Sequence, residues 1–105
     1  MNLIFKTTKP NKLKSDILKL IEDEKLKTWK IHNSNNIKYI KHIDQWGDKG
    51  VIKMSTNIQQ DELIVEVFKF EKTTQKVEEF SGYYLGRFCE IIFVNFPNDF
   101  NSITK

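Results

Sequence analysis

Cysteine occurs once, as Cys89, so the chain cannot form an internal disulfide, and a reducing compartment is expected. Arginine also occurs once, as Arg87. Readers of bases and phosphates favour arginine, because its planar fork binds two acceptors at once. A basic surface built from lysine therefore argues less strongly for nucleic acid than the same charge built from arginine. No long hydrophobic run is present. The opening MNLIFKTTKPNK has an apolar stretch of three residues, whereas a secretory leader needs about 7–15 and a membrane helix about 20. Neither a leader nor a membrane span is expected, and the expected location is cytoplasmic. No repeat, linker or low-complexity segment interrupts the chain, and no metal-binding, nucleotide-binding or nucleophile motif stands out.

What is present suits one folded domain spanning residues 1–105. That length can bury one modest core without staples. Hydrophobic residues make up 39% and charged residues 30%, a globular rather than disordered balance. Eight phenylalanines are generous for this length and leave aromatic surface to spare for binding. The net charge of +3 is unevenly spread. Residues 1–53 hold twelve lysines against six acids, net +6, while residues 54–105 hold five basic groups against eight acids, net −3.

Asn2 to Thr8 reads as a short strand. Pro10 suits the first turn of a helix, and Leu13, Ile17, Leu20 and Ile21 then follow as one apolar stripe reaching about Leu26. Lys12, Lys19, Glu22, Asp23 and Lys25 lie off the stripe as a solvated face. Residues 28–71 read as four antiparallel strands in a meander, broken at Ser34-Asn35-Asn36, Gly47-Asp48-Lys49-Gly50 and Gln59-Gln60-Asp61. From Thr74 the period becomes helical and runs to about Asn95, where Pro97 ends it. Val77, Phe80, Tyr84, Leu85, Phe88, Ile91 and Ile92 make it apolar, and Gly82 and Gly86 would allow another backbone to approach. The expected fold is α+β: an N-terminal strand and helix, a four-stranded meander, and a long C-terminal helix packed on the sheet.

Requiring apolar residues to meet across strands suggests a register. A four-residue loop at 47–50 sets Ile43 opposite Met54, Gln45 opposite Ile52 and Tyr39 opposite Ile58. A three-residue loop at 34–36, with Asn36 left-handed, sets Ile31 opposite Tyr39. A four-residue loop at 59–62 sets Leu63, Val65 and Val67 on the same core face. The other face then carries Trp46, Val51 and Phe70 in one row, Asp44, Lys53 and Phe68 in the next, and His42, Ser55 and Glu66 in a third. Lys30, His32, Lys38, Ile40 and Ile64 complete it.

This second face is the candidate site. Trp46, Phe68 and Phe70 would anchor a partner, with Lys53, Lys30, Lys38, His42 and Glu66 around them, as in an aromatic patch with a polar rim. The row His42, Ser55, Glu66 has the residue types of a hydrolytic triad but no nucleophile elbow and no oxyanion hole. Cross-strand polar residues on a wet face look the same, so no catalytic residue is assigned. His32 and His42 would stand roughly 13 Å apart, at about 3.3 Å per strand residue, too far to share an ion. No metal or cofactor is expected. Glu66, between Ile64 and Phe68, is most simply partnered by Lys53. Arg87 and Glu90 form a surface pair of little energetic weight.

The expected function is therefore non-enzymatic protein binding. One form it would take is a small bacterial or phage inhibitor, such as an immunity protein that occludes a toxin's active site. The weaker alternative is a single-stranded nucleic-acid binder using aromatics and lysines on a sheet face; Asp44, Glu66 and the scarcity of arginine count against it. A homodimer would bury the same patch.

Overall fold

The computed structural model describes residues 2–105, without the side chain of Gln45. Strand β1 (Asn2–Lys6) leads into helix α1 (Pro10–Glu22). Pro10 occupies the first turn, where its missing N–H costs nothing. Leu13, Ile17 and Ile21 bury the stripe that the spacing predicts. The helix stops at Glu22, short of Leu26. Lys25 N–H donates to the Leu20 carbonyl and Glu24 N–H to that of Ile21, with Glu24 left-handed at φ 57°. That pairing is a Schellman closure, which occupies the last carbonyls and turns the chain away.

Strands β2 (Trp29–Ser34) and β3 (Ile37–His42) form a hairpin. Ser34 pairs with Ile37 and Ile31 with Ile40. The loop is therefore two residues, Asn35 and Asn36, at φ 51° and 66°. Positive φ at both central positions is the mirror-image turn that matches strand twist, and asparagine tolerates it. The expected three-residue loop, with Ile31 opposite Tyr39, is thus corrected by one residue.

The connection to β4 (Gly50–Asn57) departs further from expectation. It contains a 3₁₀ turn at Gln45–Asp48, and Ile40 pairs with Ile52. Ile43 and Met54 do not face each other: Ile43 is 51% exposed and Met54 only 3%. The physical reason lies in residues 43–49, which leave the ladder. Ile43 N–H donates to the Thr28 carbonyl, and His42 N–H donates to the Tyr84 hydroxyl rather than to β4. Gly47 lies so close to the His42 backbone that a Cβ there would collide with the carbonyl oxygen. The expected pairing of Tyr39 with Ile58 is also absent, and Ile58 is exposed in the next turn. Ile52 pairs with Ile40 and Val67; the side chain of its expected partner, Gln45, is outside the described residues.

Strand β5 (Glu62–Lys69) pairs with β4 through Met54–Val65 and Ile52–Val67. The loop is 58–61, closed by left-handed Asp61 and by Asn57 Oδ1 accepting from Gln60 N–H. Leu63, Val65 and Val67 face the core as expected, two residues out of the expected register with β4. After a 3₁₀ turn at Val77–Glu79, helix α2 runs from Ser81 to Asn95, shorter at its start than the periodicity suggests. The chain then returns as β6 (Ser102–Thr104), a short strand on β1 that the polar tail does not announce.

Among the described residues the sheet order is β2-β3-β4-β5-β1-β6, six strands rather than a four-stranded meander beside one more. Every pairing is antiparallel. Both helices cover one face. Phe5, Ile17, Ile40, Ile52, Leu63, Val65, Tyr84, Phe88 and Ile92 make up much of the core between them. Gly82 and Gly86 are exposed and face open space, so the expected close approach of another backbone is not made.

Tyr84 holds the sheet together where β3 and β4 separate. Its hydroxyl accepts from His42 N–H at 2.9 Å and donates to the Gly50 carbonyl at 2.8 Å. One side chain thereby satisfies two buried backbone groups that the ladder leaves open. Burial raises the phenol from 10.0 to about 12, although the bond from His42 works the other way.

Candidate functional site

Ile40, expected on the second face, is instead fully buried in the core, paired with Ile31 and Ile52; because side chains alternate along a strand, this sends Tyr39, Lys41, Val51 and Lys53 to the opposite face. His32 and Lys30 reach that face from β2, and Glu66, Phe68 and Ile64 reach it from β5. Phe68 stands across from Val51 and is 44% exposed. Phe70, just past β5, lays its ring 5.4 Å from that of His32, which lies 6.4 Å from Tyr39. The Lys41 ammonium sits 5.6 Å from the Phe70 centroid, a cation–π contact. Lys53 stands opposite Glu66.

Of the eight residues expected on one surface, Phe68, Phe70, Lys30, Lys53 and Glu66 share the face away from the helices. Trp46, Lys38 and His42 do not. Trp46 lies in the 3₁₀ turn and stacks on Tyr83 of α2, with centroids 5.1 Å apart and planes 11° apart. Lys38 pairs with Glu22 of α1 at 3.3 Å. His42 is buried, with its ring set edge-on to Trp29 at 5.0 Å. The β3 register is responsible for all three. The row His42, Ser55, Glu66 is absent too: His42 is on the other face, and the β4–β5 register sets Ser55 opposite Ile64 and Glu66 opposite Lys53. The row of Trp46, Val51 and Phe70 is likewise absent.

Lys41 and Tyr39 join the face unforeseen. Asn35-Asn36 is the signal that would have found them. Taken as a two-residue loop, it sets Ile31 opposite Ile40 and turns Lys41 outward with Lys30.

On the helix side, His42 lines an open cleft of about 500 Å³ with Trp29, Asp44, Arg87 and Glu90. Its Nδ1 lies 2.6 Å from the Asp44 carbonyl oxygen, which can only accept, so Nδ1 is the donor of that bond. Among the described residues, no serine or cysteine lines that cleft. Burial pushes the Cys89 thiol up, away from the reactive thiolate. Among the described residues, no group of three or more His, Cys, Asp or Glu could hold a metal ion. No described helix is long and apolar enough to cross a membrane.

Comparison with family models, with curated proteins and with solved structures finds no match.

Proposed function

We propose that this chain is a non-enzymatic protein-binding module that engages a partner through the face of its sheet left bare by the helices. The observation that supports this most is the make-up of that face. Exposed Phe68 and the cluster of Phe70, His32 and Tyr39 are bordered by Lys30, Lys41 and Lys53, while Glu66 sits among them. Aromatic anchors within a charged rim are the usual composition of a protein interface. Mixed charge and largely packed rings fit a protein better than a nucleic-acid strand, which asks for free ring faces and unmixed positive charge. In its narrower form, the module is an inhibitor that blocks a toxin's active site by steric occlusion, its approach steered by charge.

The test is affinity purification of the tagged chain and of a Phe68→Asp variant from the source cells. Recovery of one protein at near-unit stoichiometry, lost in the variant, supports the reading. A second reading, single-stranded nucleic acid, rests on the three lysines around clustered aromatics. It would be favoured by salt-dependent retention on oligonucleotides that falls with Lys41→Ala.

A further inference from the structure

The outer edge of the sheet beside this face carries its own recognition chemistry. Ile43 N–H donates to the Thr28 carbonyl, so Thr28 and Ile43 are a hydrogen-bonded pair. Alternation along the hairpin then makes Lys30–Lys41, His32–Tyr39 and Ser34–Ile37 hydrogen-bonded pairs as well. The two-residue turn requires the same of Ser34–Ile37. The backbone groups of Trp29, Ile31 and Asn33 therefore point away from β3, at the free edge of the sheet. Trp29 N–H is taken by the Leu26 carbonyl. Among the described residues, nothing occupies the N–H and C=O groups of Ile31 and Asn33.

A second observation concerns charge. Lys30 stands directly opposite Lys41. Like charges in that position repel and weaken a hairpin. Neither lysine forms an ion pair among the described residues. His32 is next along the edge on the same face, and Glu66, on that face, lies on β5 beyond β4.

Resting on the protein-binding reading above, we propose that β2 is a docking edge that takes up an acidic, extended segment of a partner protein as an added antiparallel strand. The partner's backbone would pair with Ile31 and Asn33. Its carboxylates would fall beside Lys30 and His32 on the bare face, and its alternate apolar side chains beside Ile31. Affinity then comes from main-chain bonds and selectivity from charge. The Lys30 charge also acts against a second copy of this chain, because antiparallel pairing of two β2 edges brings the Lys30 side chains of both copies onto one face of the joint.

The test uses the full chain and a fluorescent octapeptide of alternating Glu and Val, with alternating Lys and Val as control. The acidic peptide should bind at least ten-fold tighter than the basic one, and Lys30→Glu should reverse that order. In the unmodified chain, hydrogen exchange should show Ile31 and Asn33 amides gaining protection on peptide binding. Lys30 and His32 amides, already in the ladder, should not change. Asn33→Pro removes an outward N–H at an exposed edge position and should weaken binding ten-fold or more. Equal binding of both peptides, unchanged Ile31 and Asn33 exchange, or an oligonucleotide that binds while the acidic peptide does not would each overturn the proposal. Loss of the edge mode alone would leave the Phe68-dependent partner capture intact, so the two readings fail separately.

Discussion

Tyr84→Phe removes one oxygen and tests how the fold spans the place where β3 and β4 separate. The hydroxyl accepts from His42 N–H and donates to the Gly50 carbonyl, and the side chain is fully buried. The phenylalanine ring keeps the packing against Trp29 and Phe80, whose centroids lie 5.9 and 6.5 Å away. The loss is therefore almost purely one of hydrogen bonding. Each buried backbone group left unpaired costs about 1–3 kcal/mol. With two such groups and some local relaxation, the variant should lose about 2–4 kcal/mol, a large share of the 5–15 kcal/mol typical of a domain. At about 4–8 °C per kcal/mol for a chain of this size, Tm should fall on the order of 10–30 °C. Urea and thermal denaturation, with Tyr83→Phe as control, measure it. Tyr83 is 63% exposed, and the control should change by less than about 0.5 kcal/mol. If Tyr84→Phe lies within that same margin, the two backbone groups find other partners and the bridging role is wrong.

The same hydroxyl governs alkaline behaviour. The folded phenol is raised to about 12 from 10.0, so the neutral form is favoured in the folded state. The stability linked to this group is complete below pH 10 and is lost as pH rises towards 12, by roughly 2–3 kcal/mol. Denaturation midpoints across that range should fall more steeply for the unmodified chain than for Tyr84→Phe, and parallel curves would refute the linkage. The β3 register is tested by Ile40→Ala, which should cost about 2–5 kcal/mol, against Ile43→Ala, which should cost less than about 0.5 kcal/mol. A larger loss at Ile43, read by urea denaturation, would restore the alternative pairing. Gly86→Ala adds a methyl group that meets nothing within 4 Å and should raise stability by about 0.5–1 kcal/mol through helix propensity. A drop in Tm would mean that this side of α2 is occupied.

The legible parts of the fold were those with a local signature. Pro10 followed by Leu13, Ile17 and Ile21 defines α1, and the alternation of Leu63, Val65 and Val67 defines the buried side of β5. The register of β3 was not legible from apolar matching, because Ile43 pairs equally well on paper with Met54. What excludes that pairing is tertiary: the bond from His42 N–H to Tyr84 comes from a residue forty-two positions away. Pairing Ile43 with Met54 sets Trp46, Lys38 and His42 on the face away from the helices, where none of them lies. Phe68, Lys53 and Glu66 were placed correctly because a two-residue slip between β4 and β5 preserves faces. Strand β6 escaped notice because a three-residue strand leaves almost no periodicity to read.

A photo-crosslinking residue placed at Phe68, with the same residue at Val94 on the exposed side of α2 as control, tests the docking face most directly. In living source cells, position 68 should yield one discrete protein adduct, lost on Lys53→Glu, while position 94 yields none. Identical adducts at both positions, or a nucleic-acid adduct at 68 with no protein, would contradict the assignment of the bare sheet face as a protein-docking surface.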